Sequence, residues 1–238
     1  MLSAILLLAL SVGDDKEADE ALERFKAAIK GAAAAGRASA VTELSKTPHE
    51  KTLTRLSGIL SAEELPVRIA AAKGIGNYGE YKKKASPILT GALGGCTKDT
   101  ADLAAAILEA LGKLGDESAL GTIHGRFEDK DAKIAKAALA ASGDIKKSSS
   151  IDVIIELMKK YEKATGVDAK GKKKSTNDGG GAVNIPYAGG GGDDPVKKLA
   201  QEVLPATIKA LTAITKEKWT TSQEWIIWWS KHKNDAAK

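Results

Sequence analysis

The sequence predicts an all-α protein made of stacked helical pairs, and three observations favour this fold. Hydrophobic residues make up 43% of the chain, but aromatic residues make up only 4%. Alanine, leucine and isoleucine dominate the apolar set, which favours helix over sheet. An internal repeat recurs every 31 to 36 residues, and the apolar positions inside each copy have helical spacing.

The repeat is clearest in the stretch VRIAAAKGIGNYGE at Val67–Glu80. A shift of 36 residues places its apolar positions on those of LAAAILEALGKLGD at Leu103–Asp116, and a further shift of 31 carries Leu103 to Ile134. Within each copy these positions share one face of a helix. A second helix follows each copy, with matching residues at Ala85, Ile88 and Ala92, at Leu120, Ile123 and Phe127, and at Ile151, Ile154 and Met158. One pair cannot bury both of its apolar faces, so neighbouring pairs must stack.

These stretches resemble the first helix and following turn of HEAT repeats. The family pattern of a proline, a Val-Arg pair and an alanine-rich run matches at Pro66, Val67, Arg68 and Ala70–Gly76, whereas the later copies lack the proline and the arginine. The resemblance covers roughly residues 65–164. It implies a right-handed α-α superhelix, a short solenoid of about five helical pairs. Most relatives of this kind use their extended surface to hold another macromolecule.

Weaker helical patterns flank this region. On the amino-terminal side, residues 17–35 form one amphipathic pattern that ends near Gly36, and a degenerate pair joined at Thr47-Pro48 follows it. On the other side, Pro195–Thr215 predicts one long helix with proline in its first turn and a kink near Pro205.

The first thirteen residues, MLSAILLLALSVG, carry no charge and are mostly aliphatic. This stretch is too short to span a bilayer, but it fits the apolar core of a signal peptide, with small residues at Ser11 and Gly13 before Asp14. It lacks the usual basic residue at its start, so the first helix of a cytoplasmic protein is the alternative. We therefore predict a signal peptide at residues 1–13, a periplasmic or secreted location, and no transmembrane segment in the mature chain.

The rest of the chain divides by composition. Residues 14–164 carry the helical repeats, and residues 195–238 carry the last repeat helix and a terminal helix. Residues 165–194 contain two glycine runs, a lysine run and no helical period. Such a segment cannot bury enough apolar area to offset its ordering entropy, so it predicts a disordered insertion.

All four tryptophans lie near the end of the chain: Trp219, Trp225, Trp228 and Trp229. The last helix of a stacked fold must cover the apolar face of the preceding unit, and large aromatic rings suit that task. Thr221 or Ser222 supplies a capping residue, with Glu224 in the first turn. The cluster therefore predicts a structural cap. A platform of exposed rings that binds carbohydrate or peptide is the alternative.

The search for catalytic chemistry finds no site. The three histidines, His49, His124 and His232, are far apart in sequence, and Cys96 is the only cysteine. The sequence holds no nucleophile elbow, and its glycine runs do not open a phosphate-binding helix. We therefore predict no enzyme, no cofactor and no bound metal. Some HEAT-like proteins are lyases or DNA glycosylases, and that class stays an alternative.

The net charge is +5, but basic and acidic residues alternate closely along the middle of the chain. Nucleic-acid binders usually show a more one-sided stripe, so a nucleic-acid or polyanion binder is a second alternative. The main prediction is a non-enzymatic, exported scaffold that binds another protein. Its candidate partner contacts lie near one turn between helices: Arg68, Lys73, Tyr78 and Tyr81.

Overall fold

The structure, a computed structural model, describes the backbone of residues 2–165 and 194–233, and side chains within those ranges from residue 15 onward. Every regular element in this part of the chain is helical, which confirms the predicted all-α class. The predicted insertion at residues 165–194 lies outside the described residues, apart from Thr165 and Asp194. The predicted signal peptide belongs to the first helix, and its side chains also lie outside the described part.

Within residues 2–165 the α-helices alternate with short connections, several of which contain a 3-10 turn. Their bounds are α1 Leu2–Ile29, α2 Ala34–Leu44, α3 Glu50–Ala62, α4 Leu65–Ile75, α5 Lys82–Gly94, α6 Ala101–Leu114, α7 Leu120–His124, α8 Ala132–Ile145, α9 Ser149–Thr165, α10 Pro195–Thr215 and α11 Ser222–His232. The chain divides into two compact units, Met1–Ile145 (unit 1) and Lys146–Lys238 (unit 2). This division differs from the boundary at residue 164 that composition predicts.

Unit 1 packs alternate helices against one another. Helix α2 packs against α4, α4 against α6, and α6 against α8. The intervening helices follow the same rule, because α1 packs against α3 and α3 against α5. Helix α5 contacts the 3-10 turn Glu117–Ala119 that leads into α7. The first helices α2, α4, α6 and α8 therefore form a continuous row, and α1, α3 and α5 form a second row beside it.

Glycine lets the first helices of successive pairs approach closely. A Cβ atom built on Gly76 would lie 2.9 Å from the Cα atom of Ala110, and one built on Gly112 would lie 2.9 Å from the Cα atom of Ala141. Real Cβ atoms almost never come so near another backbone. The glycines that recur in the repeat are thus the places where α4 meets α6 and α6 meets α8.

Two local predictions differ from the structure. The first helix ends at Ile29, not near Gly36, because Gly31 adopts a left-handed conformation with φ of 73° that stops the helix. The sequence predicts that the helix after α6 runs through Phe127, but α7 ends at His124. Phe127 is nevertheless buried in the turn that follows.

Arginine side chains connect neighbouring elements of unit 1. Arg68 donates from Nε to the carbonyl oxygen of Leu60 at 2.8 Å, in the last turn of α3. Arg126 donates to the carbonyl oxygen of Leu93 at 2.9 Å, in the last turn of α5, and this carbonyl also accepts from the backbone of Cys96 at 3.2 Å. Arg37 donates to the carbonyl oxygen of Ala32 just after α1, at 2.9 Å. The bonds to Leu60 and Leu93 thus bring a side-chain donor to the last carbonyl groups of two helices.

A second set of charged contacts links the middle of α1 to the amino-terminal end of α3, and that end to the start of α5. Lys51 lies 2.8 Å from Asp19 and 3.1 Å from Asp15, and these contacts raise the pKa of the Lys51 amine. Glu50 forms an ion pair with Lys84 at the start of α5. These pairs are exposed, so solvent screens them and they contribute little to stability.

Unit 2 contains α9, α10 and α11, with α9 packed against both of the others. Its core includes Ile154, Met158, Leu204, Leu211 and Trp225, each at most 1% exposed. Polar bonds fix α11 on α9. Ser222 donates to the buried Glu162 near one end, and Trp229 donates from Nε1 to Asp152 at 2.6 Å near the other.

The amino-terminal end of α11 is capped as the sequence predicts. Thr221 accepts from the backbone of Glu224, and the Glu224 carboxylate accepts from the backbone of Thr221 at 2.9 Å. Hydrogen bonds from the backbone of Thr220, from the Thr221 side chain and from the Thr221 backbone hold the pKa of Glu224 below its usual value.

Within the described residues, none of the helices combines the length and hydropathy that a membrane crossing requires.

Candidate functional site

A shallow groove of about 470 Å³ runs across α4, α6 and α8 in unit 1. Small or apolar side chains form its floor: Ile69, Ala105, Ala106, Ala137 and Ala140. Charged side chains also line it, namely Lys73, Asp102, Glu109 and Lys133. We call this surface the α4/α6/α8 groove.

Equivalent positions of the repeat line the groove. The shift of 36 residues takes Ile69 to Ala105 and Lys73 to Glu109, and the shift of 31 takes Asp102 to Lys133 and Ala106 to Ala137. Side chains at one position of successive helices point to the same side of a row. The groove is therefore a product of the repeat, and its composition changes from one helix to the next.

The charges of the groove fall into two classes. Lys133 forms an ion pair with Asp102 between α8 and α6, and this contact raises the pKa of the Lys133 amine. Lys73 and Glu109 are exposed, and no hydrogen bond or ion pair joins either to another described residue. Lys73 and Glu109 thus face the solvent from neighbouring helices, unpaired as far as the described residues show.

Of the four partner contacts that the sequence predicts, Lys73 is the one that lines this groove. Arg68 is committed to the Leu60 carbonyl oxygen and is half-buried. Tyr81 is also half-buried, with its ring centre 6.2 Å from that of Tyr78.

The prediction for Tyr78 needs correction, because this side chain is fully buried. Its hydroxyl group donates to Thr52 Oγ1 at 2.9 Å, and burial raises its pKa despite that bond. Tyr78 occupies an apolar position of the repeat, and its ring therefore packs in the core and does not contact a partner.

The tryptophans take different positions in unit 2. Trp225 is fully buried and donates from Nε1 to the Trp219 carbonyl oxygen at 3.1 Å, while Trp229 is 5% exposed. Trp228 is half-exposed, and its ring stacks on that of His232 with centres 4.8 Å apart. Trp219 is 38% exposed. The cluster therefore has a buried part and a surface part.

The histidines and the cysteine do not converge. His49 caps α3 by accepting from the backbone of Lys51 at 3.2 Å. Burial lowers the pKa of His124 and raises the pKa of Cys96, so this thiol is not activated as a nucleophile. In the part of the chain that the structure describes, no three histidine, cysteine or acidic side chains gather in a way that could hold a metal ion.

No protein-family model matches the chain, and no curated protein is significantly similar to it. The function is therefore inferred from the α4/α6/α8 groove. Sequence reasoning missed Asp102, Glu109 and Lys133. The repeat is the signal that identifies them. Glu109 is the equivalent of Lys73, and Asp102 and Lys133 are equivalent to each other.

Proposed function

We propose that this protein is an exported, non-enzymatic scaffold with a HEAT-like solenoid, and that it binds a segment of another protein in the α4/α6/α8 groove. The observation that carries the proposal is the groove lined by equivalent positions of three consecutive first helices. Folds that stack repeats in this way commonly use such surfaces for binding.

The charges indicate the chemistry of the partner. Lys73 suits a carboxylate, and Glu109 suits a lysine or arginine. Neighbouring packed helices lie roughly 10 Å apart, so the two opposite charges of the partner are separated by a similar distance. The alanines between them allow a partner backbone to approach closely. A continuous polyanion fits this surface poorly because Glu109 and Asp102 repel it.

The sequence of the first residues supports export as part of the proposal. Residues 1–13 carry no charge and are mostly aliphatic, and Ser11 and Gly13 are small residues before Asp14, as in a signal peptide.

Site-specific photo-crosslinking in the source cells tests the binding surface. A photoreactive residue at position 73 or 109 is expected to crosslink to one and the same protein. Lys73→Glu should abolish the product formed from position 109, and Lys73→Arg should retain it. The matched control is Lys113→Glu, which places the same charge change on an exposed residue of α6 outside the groove lining.

The binding proposal fails if neither position gives a product, if the product is nucleic acid, or if Lys113→Glu acts like Lys73→Glu. Cell fractionation with amino-terminal sequencing tests export separately. We expect a chain that starts at Asp14 outside the cytoplasm. An intact Met1 in the cytosol would overturn the export proposal and leave the groove to be judged by crosslinking.

A further inference from the structure

The two rows of helices in unit 1 differ in the charge of their exposed sides. Helices α4, α6 and α8 carry charged residues on the side that forms the groove. In the second row, by contrast, residues 56–62 of α3 and residues 85–97, which include most of α5, contain no charged residue. Charged residues make up 28% of the whole chain, and a surface helix ordinarily carries them on its outer side. The packing of unit 1 does not explain why they are missing here.

The exposed residues of these two helices form one continuous surface, which we call the α3/α5 face. A shift of 33 residues takes the buried Leu56 and Leu60 of α3 to the buried Leu89 and Leu93 of α5, and the two helices pack against each other. Their exposed sides therefore point the same way. The face includes Thr54, Gly58 and Ser61 on α3, and Pro87, Ile88 and Gly91 on α5.

The glycines of this face have space above them that no described helix fills. A Cβ atom built on Gly58 or Gly91 would meet no neighbouring atom within 4 Å. At Gly76 and Gly112, in contrast, the missing side chain makes room for the next helix of the row. Glycine inside a helix costs about 1 kcal/mol relative to alanine. The space at Gly91 is suited to a helix that another molecule supplies.

The charges at the two ends of α5 are the reverse of those that an isolated helix favours. Three lysines open the helix at residues 82–84, and its first turn holds no acidic residue. Lys84 pairs with Glu50, but no hydrogen bond or ion pair joins Lys82 to another described residue. The last turn holds no basic residue. Because the helix dipole is positive at its amino terminus and negative at its carboxyl terminus, it adds to this imbalance.

An antiparallel pair of α5 helices satisfies both ends. A two-fold axis between Ile88 and Gly91 places the Lys82 end of each helix beside the carboxyl-terminal end of the other, where a cation is stabilising. Lys98 and Asp99 follow α5 and carry opposite charges, so the dipole decides the sign of the potential at that end. A parallel pair would instead bring the two lysine runs together.

We infer that two copies of this chain associate through the α3/α5 face, with their α5 helices antiparallel and crossing near Gly91. A two-fold interface pairs a surface with itself, and the cores of homodimer interfaces are depleted of charged residues. A face without charges meets both conditions. The inference goes beyond the proposed function, because it uses helices other than those that form the α4/α6/α8 groove.

Sedimentation equilibrium of the full chain measures this association, and we expect a monomer–dimer equilibrium. Gly91→Glu should raise the dissociation constant at least about tenfold, because two like charges then meet near the axis. The new side chain enters open space and replaces glycine by a better helix former, so the fold is retained. The matched control is Ala35→Glu, which adds the same charge to an exposed residue of α2 and should leave the dissociation constant unchanged.

A mixing experiment tests the two-fold arrangement itself. Gly91→Lys alone should dissociate as Gly91→Glu does. An equal mixture of the two variants should form dimers again, because opposite charges then face each other across the axis. Lys82→Gln tests the contact at the helix ends, and it should raise the dissociation constant about fivefold, since the dimer contains that contact twice.

The inference is overturned if the full chain stays monomeric at the highest concentration measured, or if Gly91→Glu dimerises like the unmodified chain. It is also overturned if Ala35→Glu dissociates equally, or if the mixture of variants stays monomeric. Crosslinking from the α4/α6/α8 groove judges the proposed function separately. A partner crosslinked there, together with a monomeric chain, would remove this inference alone.

Discussion

The two units of the chain bury their helices in different ways. Unit 1 brings first helices together through glycine and alanine, as where Gly112 meets Ala141, and its interior is filled mainly by alanine, leucine and isoleucine. Unit 2 places a tryptophan at the centre of its terminal helix and fixes that helix with side-chain hydrogen bonds to α9. Where helix backbones approach this closely, a side chain larger than glycine does not fit between them. Helix α11 instead places the large ring of Trp225 in the core of unit 2.

The largest expected effect concerns the ring at the centre of unit 2. Trp225→Ala removes a fully buried side chain and should lower the free energy of unfolding by about 4 kcal/mol. Chemical denaturation measures this loss. Trp228→Ala is the matched comparison, because its half-exposed ring should cost much less. Equal losses for the two variants would contradict the division of the cluster into a buried and a surface part.

The counterpart in unit 1 adds volume instead of removing it. Gly112→Leu forces a side chain into the backbone of Ala141 and should cost about 3 kcal/mol. Gly91→Ala, in α5, meets open space and should stabilise the protein by up to about 1 kcal/mol through helix propensity. If Gly112→Leu were as stable as Gly91→Ala, the close approach of α6 and α8 would not be the basis of packing in unit 1.

A smaller effect separates packing from hydrogen bonding in unit 2. Asp152→Ala removes the acceptor of the Trp229 indole N–H and should destabilise the protein by about 1.5 kcal/mol. Asp152→Asn keeps an oxygen in place and should recover most of that loss. Urea denaturation of both variants measures the difference. A loss as large in Asp152→Asn as in Asp152→Ala would assign the effect to charge, which includes the contact with Lys233.

The smallest effect is a pH dependence in unit 1. Burial holds the pKa of His124 below its ordinary value of 6.5, so the unfolded chain binds this proton more tightly than the folded protein does. Stability from His124 is complete above pH 6.5 and is lost as the pH falls through the folded pKa. His124→Gln should flatten the fall in stability that begins as the pH drops below 6.5. An unchanged profile would contradict the burial of this ring.

The repeat in the sequence predicts most of unit 1, because apolar spacing and recurrent glycines are local signals. The repeat places Gly76 and Gly112 at equivalent positions, and a separate capping pattern predicts the start of α11 at Thr221 and Glu224. The repeat does not predict that Gly31 ends α1, because the stretch after Ile29 is rich in alanine and remains compatible with helix. The wrong expectation for Tyr78 has a similar cause. Its ring can be buried because Thr52, which is distant in sequence, accepts a hydrogen bond from its hydroxyl group.

The groove was only partly predictable. Lys73 could be selected from sequence because it lies on an exposed position of a recognisable helix. Asp102 and Lys133 could not be paired without the geometry, since the ion pair depends on how α6 and α8 are placed side by side.

The arginine bonds to Leu60 and Leu93 have a mechanical consequence. Each bond reaches the last turn of an earlier helix, 8 residues back for Arg68 and 33 residues back for Arg126, so a pulling force on the two ends of unit 1 would load these bonds one after another. Every pair that detaches would release 31 to 36 residues, or about 110 to 130 Å of extended chain. Under a pulling force, unit 1 would therefore lengthen in steps of similar size. Replacing one arginine would lower the force at which one of these steps occurs.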